Sequence, residues 1–570
     1  MKNGAIIGVI PQYPYHSQQN IYGKIKMAPI GIVSVLSQIE VDSGFSDVYA
    51  VDENNYRGPR DFRGMPDHSF LQERSPASVA MFYGGMSNSI PRMFSVAKQY
   101  KSFGSLTIAG GSHVDALPED ALNSGIDVVV HGEGEHITRE VLETIVSKDN
   151  NEFDKEKLAQ ISGISFLNNN GDYVFTGRRE ALRSLNELKD PDLTLIKFLD
   201  KRWSAIPISR GRGCNWKCEF CTVNQLYGKY KSESNEKVLR QIIKYSDMGY
   251  RSFFFTDDNF AQNPKQTIEL CSDIGDYRRE FNKKLNLFVQ VRNEVAENPR
   301  LIDAMKLAGV KMLCIGYESP INEDLKAMNK GVTVEKLIER SRKLSKDFYL
   351  HGMFIFGYPT FKDSEIKSEL TLEQKAKRYN DFFKKAKIDT VQVLNAIPLP
   401  GTLLRDKLEA EGRVLPLETV GWDRYDGLHL CYDSRPEGID MYDLQNIPRT
   451  LMKKWYLGNA FERGLNPINW MTWTYNATIG FPIQFGTFYA KRFVHNLAQK
   501  SRGESMENDS FAQKKNIFQD SCAHAMDDIK RKWRNLTIRT YGGGIVKKWY
   551  KEYEKGEYSS RMKDFFTKKK

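Results

Sequence analysis

This chain has little cysteine, no long apolar run and no short repeat. No segment offers the roughly 20 uninterrupted apolar residues that a membrane-spanning helix needs. The absence of low-complexity tracts and repeats argues against a disordered or solenoid protein. The first residues, MKNGAIIGVIPQYPYHSQQ, lack the charged, apolar and small-residue pattern of a secretory signal. We therefore expect a cytoplasmic globular protein with reduced thiols.

The composition is that of a soluble globular protein, with 40% hydrophobic and 27% charged residues. A chain of 570 residues is too long for one ordinary core, so we expect two or three domains. The net charge is +11, and residues 501–570 carry 17 Lys and Arg against 10 Asp and Glu. This basic tail favours a solvated helical surface over contact with an anionic membrane or nucleic acid, because no nucleic-acid-reading motif accompanies it.

Three of the seven cysteines fall in one predicted loop, SRGRGCNWKCEFC, as Cys214, Cys218 and Cys221. The other four are separated from one another by dozens of residues. A zinc site normally takes four ligands, commonly as two Cys pairs, and no second pair exists here. Three thiolates can instead each hold one iron of a four-iron, four-sulfur (4Fe-4S) cluster. The fourth iron would then be open to a substrate.

The cysteine spacing, with Phe220 just before the last cysteine, resembles the signature of the radical S-adenosylmethionine (SAM) superfamily. The resemblance implies a 4Fe-4S cluster on Cys214, Cys218 and Cys221, with Phe220 beside the SAM site. In that superfamily the open iron is chelated by SAM, and an electron from the cluster cleaves SAM to a 5′-deoxyadenosyl radical. A flavodoxin or ferredoxin type of electron donor is also implied, because the low-potential cluster must be re-reduced.

Six predicted strands alternate with helices or turns after the cysteine loop, at residues 205–209, 251–258, 286–294, 311–319, 350–359 and 390–402. Repeated strand-helix units imply a parallel sheet. Six units are too few for a closed eightfold barrel. They suit the partial (β/α)6 TIM-like barrel of the radical SAM superfamily, which we assign to residues 201–405.

Polar residues stand at the carboxyl ends of these strands, where catalytic residues of such barrels lie. They are Asp257 and Asp258 in TDDN, Arg292 in VQVRNE, and Glu318 in GYES. By resemblance these four side chains would contact the amino group, ribose or carboxylate of SAM. The alternative for each is a strand-end cap or a surface ion pair. The superfamily often has Gly-Gly-Glu where this chain has TDDNF, so which carboxylate holds SAM stays open.

The first 150 residues predict a second α/β domain, a doubly wound parallel sheet with strands at 4–10, 47–53, 78–85, 105–111 and 127–133. Glycine-rich turns follow three of these strands: YGGMSNS, AGGSH and HGEGE. Glycine lets a flat or bulky ligand approach the backbone closely, and ligands bind at the carboxyl edge of such sheets. Phosphate is disfavoured, because neither a P-loop lysine pattern nor a strand-turn-helix GxGxxG occurs.

This half resembles the Rossmann-like cobalamin-binding domain fused to many radical SAM enzymes, in the stretches MAPIGIVSVLSQIE, VDENNY, AGGSHVDALPEDAL and VVVHGEGE. The Asp-x-His-x-x-Gly motif that gives cobalt a histidine does not occur. His113 is expected to be a surface-loop histidine near the ligand and is not assigned to the metal. The expected cobalamin contacts are Gly84, Gly110, Gly111, His113, Gly132, Glu133 and Gly134.

Two further regions complete the predicted organisation. Residues 151–200 are polar with an LKDPDLT turn, which predicts a linker. Residues 406–570 are expected to be mostly helical and to end in the basic tail. Their aromatic stretch, NPINWMTWTYNATIGFPIQFGTFYAKRF, favours a helical cap on the barrel mouth. The alternative is an interfacial surface for a lipid-like substrate, with peripheral membrane contact.

The leading functional hypothesis is cobalamin-dependent methylation of an unactivated carbon. The alternative within the same superfamily is cyclisation, rearrangement or carbon-carbon bond formation without methyl transfer. A transfer-RNA methylthiotransferase would need a second cluster, and no cysteine precedes Cys214. A redox-sensing iron-sulfur module is the non-catalytic alternative. The substrate class stays open among natural-product scaffolds, lipids, tetrapyrroles and peptides.

Overall fold

The chain folds around two β-sheets. The structure, a computed structural model, describes residues 4–14, 27, 29–39, 44–61, 64–146, 151–198, 203–366 and 368–462, with terminal side chains up to residue 456. Contacts group residues 1–13 with 21–455, and residues 14–20 separately with 456–570. The predicted aromatic stretch and basic tail lie outside the described residues. Among the helices that the structure describes, none is both long and apolar enough to span a bilayer.

All five strands expected in the N-terminal half are present. They are β1 (Ala5–Ile10), β2 (Val48–Asp52), β3 (Ala77–Tyr83), β4 (Leu106–Gly110) and β5 (Val128–Val130). Nearly all their residues are buried, as expected for strands covered by helices on both faces. The helices here are α1 (Ile30–Ser37), α2 (His68–Arg74), α3 (Ile90–Ser102), α4 (Ser112–Ala116), α5 (Pro118–Leu122) and α6 (Gly134–Glu143).

The predicted linker at 151–200 is wrong, because this segment completes the first sheet. Its elements, with the short strand before it, are β6 (Ile145–Val146), β7 (Glu152–Phe153), α7 (Lys155–Leu158), β8 (Ile164–Leu167), β9 (Tyr173–Phe175) and β10 (Ile196–Lys197). The sheet order is β10-β2-β1-β3-β4-β5-β8-β9. β8 pairs antiparallel with β5, and β10 pairs parallel with β2. These strands are very short and the turns between them are polar, so the sequence pattern did not predict this pairing.

The parallel core of the first sheet has the order β2-β1-β3-β4-β5. This is the flavodoxin-like order of a doubly wound sheet, and it confirms the doubly wound parallel sheet that the first 150 residues predict. In this order β2 lies on one side of β1, and the strands from β3 onwards lie on its other side. The switch point of the sheet is therefore between β1 and β3. Ligands of doubly wound sheets bind at that switch point, outside the carboxyl ends of the strands.

The second sheet confirms the six predicted strand-helix units. Its strands are β11 (Ile206–Ile208), β14 (Ser252–Phe255), β15 (Asn286–Val291), β16 (Val310–Glu318), β17 (Tyr349–Phe356) and β18 (Thr390–Asn395). They pair in that order, all parallel. Along the chain between β11 and β14, the short strands β12 (Gly211–Arg212) and β13 (Lys231–Ser232) pair with each other in a separate antiparallel ladder. This sequential parallel order, with free edges in the described residues, is consistent with the predicted partial barrel.

The helices of the second sheet begin and end at residues that the sequence marks clearly. They are α8 (Val223–Tyr227), α9 (Asn235–Asp247), α10 (Pro264–Glu280), α11 (Pro299–Ala308), α12 (Asn322–Ala327), α13 (Val334–Leu344), α14 (Leu372–Lys385) and α15 (Leu403–Ala410). Asn263 caps α10 by accepting from the backbone N–H of Gln266, and Thr371 forms a capping box with Gln374 on α14. Gly309 ends α11 in the left-handed conformation.

The chain returns to the first sheet after the barrel. α16 (Leu417–Val420) and α17 (Met441–Glu462) follow α15. Between them, Trp422, Tyr425 and Cys431 are buried in the same apolar cluster as Val9 of β1 and Ile90 of α3. Residues 406–455 therefore group with both sheets, rather than with a separate C-terminal domain that begins at 406.

Candidate functional site

The cysteine loop is closed at its base by the β12–β13 ladder, in which Gly211 faces Ser232 and Arg212 faces Lys231. The glycines of RGRG fit this base. A Cβ on Gly211 would lie 2.7 Å from the Tyr230 ring. Gly213 has a φ of +83°, and a Cβ there would lie 2.8 Å from a backbone oxygen across the loop. Both positions therefore require glycine, which fixes the start of the loop just before Cys214.

The three loop cysteines are partly exposed and carry free thiols. Cys214 Sγ lies 3.7 Å from Gln262 Oε1, within hydrogen-bond range for sulfur. Burial raises the pKa of the Cys221 thiol to about 12 and also raises the pKa of Cys218. Burial in this loop disfavours free thiolates, and three cysteine sulfurs in one loop are the donors that an iron-sulfur cluster takes. The donor set therefore fits an iron-sulfur cluster.

A single metal ion fits these thiols less well. Among the described residues, no group of three or more His, Cys, Asp or Glu side chains is placed to hold one ion. A cubane places each thiolate on a different iron, so its ligands do not have to converge on one point. Phe220 lies half-buried in the loop between the second and third cysteines.

The second half of the loop is anchored by Glu219, which the sequence analysis did not single out. Its carboxylate accepts from Lys407 Nζ at 2.8 Å and from the Tyr358 hydroxyl at 3.5 Å. Its backbone oxygen accepts from the N–H of Leu404 at 3.0 Å. The loop is thus attached to the end of β17 and to α15. A glutamate between two cysteines gives no sequence signal for these distant partners.

Arg292 and Glu318 meet at Lys330, beside the cysteine loop. The guanidinium carbon of Arg292 lies 3.8 Å from the ring centroid of Trp216 in the loop, and its Nη2 donates to the Lys330 backbone oxygen at 2.9 Å. Glu318 Oε1 accepts from Lys330 Nζ at 2.8 Å. Glu318 also has a φ of +63°. Such conformations cluster at functional sites, because the surrounding structure must hold them.

Asp257 and Asp258 follow β14 on the same edge of the second sheet. Asp257 is buried, and its Oδ2 accepts from the Arg210 backbone N–H at 3.1 Å. Its Oδ1 has no hydrogen-bond partner among the described residues. Burial raises the pKa of Asp257 to about 7, despite the opposing charge of Arg210. A buried oxygen without a partner suits a polar ligand that supplies a donor.

Asp258 is accessible to solvent but is surrounded by protein. Desolvation raises the pKa of its carboxyl to about 6, against a hydrogen bond from the Gly213 N–H. An accessible side chain that is nevertheless desolvated is characteristic of a concave site. Asp258 is also in electrostatic range of Cys221. The structure thus brings two strand-end carboxylates to the cysteine loop, because Glu318 is likewise in electrostatic range of Cys218.

Tyrosines connect this concave region to the first sheet. Tyr13 follows β1 and Tyr83 ends β3, so they flank the β1/β3 switch point. The two interact electrostatically, and Tyr227 of α8 interacts with both Tyr83 and Asp258. Burial raises the pKa of all three phenols, although each ring keeps some solvent exposure. The two sheets also meet here through backbone, since a Cβ on Gly132, in the turn after β5, would lie 3.7 Å from the Leu226 backbone oxygen of α8. The carboxyl edge of the first sheet, where doubly wound sheets bind ligands, therefore lies close to the cysteine loop.

The glycines predicted to contact cobalamin divide into two groups. A Cβ on Gly84 would lie 2.6 Å from Val114, and one on Gly111 would lie 2.5 Å from the backbone of Gly85. These two glycines are therefore needed for packing between the β3 and β4 turns. Gly110 and Gly132 have more room, with nearest neighbours at 3.6 and 3.7 Å. Gly134, at the start of α6, has its nearest neighbours at 3.4 Å, within ordinary van der Waals contact.

His113 and Glu133 differ most from their expected roles. His113 was expected in a surface loop, but it is 2% exposed, bonds Ser87 at 2.9 Å and packs edge-on against Trp422. Burial and the charge of Arg405 lower its pKa to about 3. Glu133, expected beside cobalamin, pairs with Arg212 and Lys231 of the cysteine-loop base. Both side chains therefore make contacts between distant segments, although His113 Nε2 has no hydrogen-bond partner among the described residues.

Comparison with known proteins agrees with this geometry. Residues 208–372 match the radical SAM superfamily. An uncharacterized methyltransferase of Pyrococcus horikoshii is 28% identical over 58% of this chain and 69% of its own length. The bacteriochlorophyllide d C-12(1)-methyltransferase of Chlorobaculum tepidum is 24% identical over 76% of this chain and 86% of its own length.

A solved structure shares the fold. It is the radical SAM methyltransferase TsrM of Kitasatospora setae with cobalamin and a 4Fe-4S cluster bound. It superimposes with a TM-score of 0.57 and 17% identity, covering 72% of this chain and 78% of TsrM. The likeness extends beyond the matched 208–372 segment.

Proposed function

We propose that this chain, whose residues 208–372 match the radical SAM superfamily, methylates an unactivated carbon of a small-molecule substrate, with a corrinoid as the methyl carrier. The observation that carries the proposal is the contact between the carboxyl edges of the two sheets, where Glu133 after β5 pairs with Arg212 and Lys231 of the loop base. One edge carries the three cysteines, and the other is the switch point of a doubly wound sheet. A cluster with SAM and a planar corrinoid would then share one space.

Cys214, Cys218 and Cys221 would each hold one iron of the cluster and leave the fourth iron to SAM. Asp258 is the strand-end carboxylate best placed to contact SAM, because it is accessible and lies within electrostatic range of Cys221. Glu318 and Arg292 would act from the adjacent strands, where Lys330 joins them. Asp257 is buried and would contribute by fixing the loop start through the Arg210 backbone.

The aromatic side chains at the switch point would hold the corrinoid. Tyr13 and Tyr83 present partly exposed rings on one side, and Tyr227 lies on the side of the cysteine loop. Met86, 44% exposed after β3, adds an apolar and adaptable contact. Gly110 and Gly132 leave room for the ligand to approach the backbone.

When bound, the cluster and corrinoid would supply the electron that cleaves one SAM and the methyl group taken from a second. The overall reaction balances as follows: the substrate hydrogen goes to 5′-deoxyadenosine, and the methyl group replaces it on carbon. Methionine and S-adenosylhomocysteine are the other products, and two electrons come from a low-potential donor. A flavodoxin or ferredoxin would suit that role.

The test needs no knowledge of the substrate. The full chain is purified without oxygen, reconstituted with iron and sulfide, and given hydroxocobalamin, SAM and a chemical reductant. We expect about four irons per chain, a corrinoid absorption spectrum after gel filtration, and both 5′-deoxyadenosine and S-adenosylhomocysteine. A variant with all three loop cysteines changed to Ala should lose the iron and the 5′-deoxyadenosine.

Two results would contradict the proposal in different ways. If 5′-deoxyadenosine forms without corrinoid retention and without S-adenosylhomocysteine, the chain is a radical SAM enzyme that does not transfer methyl groups. Cyclisation, rearrangement or carbon-carbon bond formation would then replace methylation. If zinc, or iron without sulfide, occupies the loop cysteines, the radical chemistry itself is wrong.

A further inference from the structure

Two basic side chains stand together at the base of the cysteine loop. Arg212 and Lys231 are direct partners in the β12–β13 ladder, so their side chains share one face. Like charges in that position destabilise a strand pair. Glu133, in the turn after β5, removes this cost by pairing with both: Lys231 Nζ is in contact with Oε2, and Arg212 Nη1 is 3.3 Å from Oε1. The base of the loop therefore depends on an acid from the other sheet.

Glu135, on α6, is the second acid that pairs with the base of the loop. Arg212 Nη2 donates to Glu135 Oε1 at 2.5 Å, and Ser34 Oγ donates to the same oxygen at 2.8 Å. Burial alone would raise the pKa of Glu135, but Arg212 and these hydrogen bonds hold it below its ordinary value. The side chains are only 15% exposed for Arg212 and 3% for Glu135. An ion pair this buried is costly to break on one side only, because the other charge is left unpaired.

The contacts lead directly from one sheet to the first cysteine. Glu133 and Glu135 flank Gly134, in the turn that includes Gly132, an expected corrinoid contact. Arg212 is separated from Cys214 by Gly213 alone. Gly213 cannot shift freely, because its backbone packs against the opposite side of the loop.

We propose that Arg212 is a positioning residue. Arg212 pairs with Glu133 and Glu135, and Glu133 also pairs with Lys231; we call these four residues the interface ion-pair network. The network holds the cysteine loop against the turn after β5. It thereby fixes the separation between the cluster site and the corrinoid site. This inference rests on the proposed function for the identity of the two cofactors.

Helix α6, which carries Glu135, also carries a matched control ion pair. Arg179 pairs with Glu140 of α6 at 2.7 Å, but the two side chains are 38% and 34% exposed. The pair joins α6 to the segment after β9, in which the Leu182 backbone bonds Glu133 and Lys231. Arg179→Gln therefore removes one Arg–Glu pair from α6 and leaves the ion pairs of Arg212 in place, so it controls for the general stability of this helix and segment.

The experiment compares the wild type with Arg212→Gln, Arg212→Lys, Glu135→Gln and Arg179→Gln, all as reconstituted full-length chains. The first readout is the rate at which an iron chelator removes iron, with and without hydroxocobalamin. The second is the electron paramagnetic resonance signal of bound cob(II)alamin. Its spin relaxation quickens when a reduced cluster lies close by, so it reports the separation of the two centres.

Arg212→Gln and Glu135→Gln should lose iron at least threefold faster and should at least halve the relaxation enhancement. Arg212→Lys, which keeps the charge but lacks the two-pronged guanidinium, should fall between them and the wild type. Arg179→Gln should match the wild type. Wild-type iron loss and relaxation in Arg212→Gln would overturn the proposal, as would an equal effect in Arg179→Gln.

Failure of the proposed function gives a different pattern. If the wild type retains no corrinoid, the methyl-transfer proposal falls, and the iron-loss comparison alone decides the role of Arg212. Should Arg212→Gln fold poorly, Glu135→Gln tests the same contact from the other sheet. Normal iron retention in a folded Glu135→Gln variant would then refute the inference.

Discussion

His113 and Asp257 are both buried titratable residues near the site, and burial shifts both toward their neutral forms. It lowers the pKa of His113 to about 3 and raises the pKa of Asp257 to about 7. The sequence marks both positions as strand-end residues but does not indicate their burial. The same histidine in an exposed loop would titrate near pH 6.5. At the scale of the residue, the surroundings therefore decide the charge.

His113 makes the stability of the chain depend on pH. Its folded pKa lies below its unfolded value of about 6.5, so between these values the unfolded chain binds a proton that the folded chain does not. Stability should therefore fall as the pH falls through this window, by about 2 kcal/mol between pH 7 and pH 5. His113→Gln should remove that part of the pH dependence, as measured by urea unfolding midpoints at both pH values. Parallel losses in variant and wild type would contradict the assignment.

The cysteine loop is an element without regular structure that is attached at several points. The β12–β13 ladder closes its base, and Glu219 joins it to α15. On the other side, Asn329 Nδ2 donates to the Lys217 backbone oxygen at 2.9 Å. These attachments come from segments up to 188 residues apart in sequence. They hold the thiols in place before any cluster binds.

Glu219→Gln tests one of these attachments. The variant keeps the shape of the side chain and loses the ion pair with Lys407, which is partly exposed and worth about 1 kcal/mol. We expect the reconstituted cluster to lose iron to a chelator about fivefold faster than in the wild type. Glu339→Gln, which removes an exposed pair with Lys343 on α13, is the matched control. Equal rates in both variants would show that the loop does not need Glu219.

At the scale of the whole molecule, the segment after the barrel binds the two sheets into one unit. Trp422 packs on His113 with ring centroids 4.5 Å apart, and the Arg405 guanidinium of α15 lies 5.5 Å from the Trp422 ring. Val420 and Tyr425, which are close to Trp422 in sequence, belong to the core of the first sheet. The contact between the two carboxyl edges therefore depends on residues far from both sites.

Trp422→Ala should weaken that connection. Loss of a buried aromatic side chain costs about 3–5 kcal/mol, and here the loss falls between the two sheets. We expect calorimetry to show an earlier transition for the first sheet, separated from that of the barrel. Tyr442→Ala, at a side chain 74% exposed, should change stability by less than about 0.5 kcal/mol. A single unshifted transition in Trp422→Ala would refute the role of the segment.

The sequence by itself determined the local features. Strand and helix periodicity predicted five strands of the first sheet and all six of the second, because alternation and helix caps are set by neighbouring residues. The cysteine spacing and the strand-end positions also predicted a shared site, and the structure brings Asp258 and Arg292 close to the cysteine loop; their cofactor roles stay predictions. Only the tertiary structure decided the partners: β8 and β10 completing the first sheet, Glu133 pairing with Arg212, and His113 buried under Trp422. Such contacts join residues dozens to hundreds of positions apart, and neither local propensity nor periodicity carries information about which distant surfaces meet.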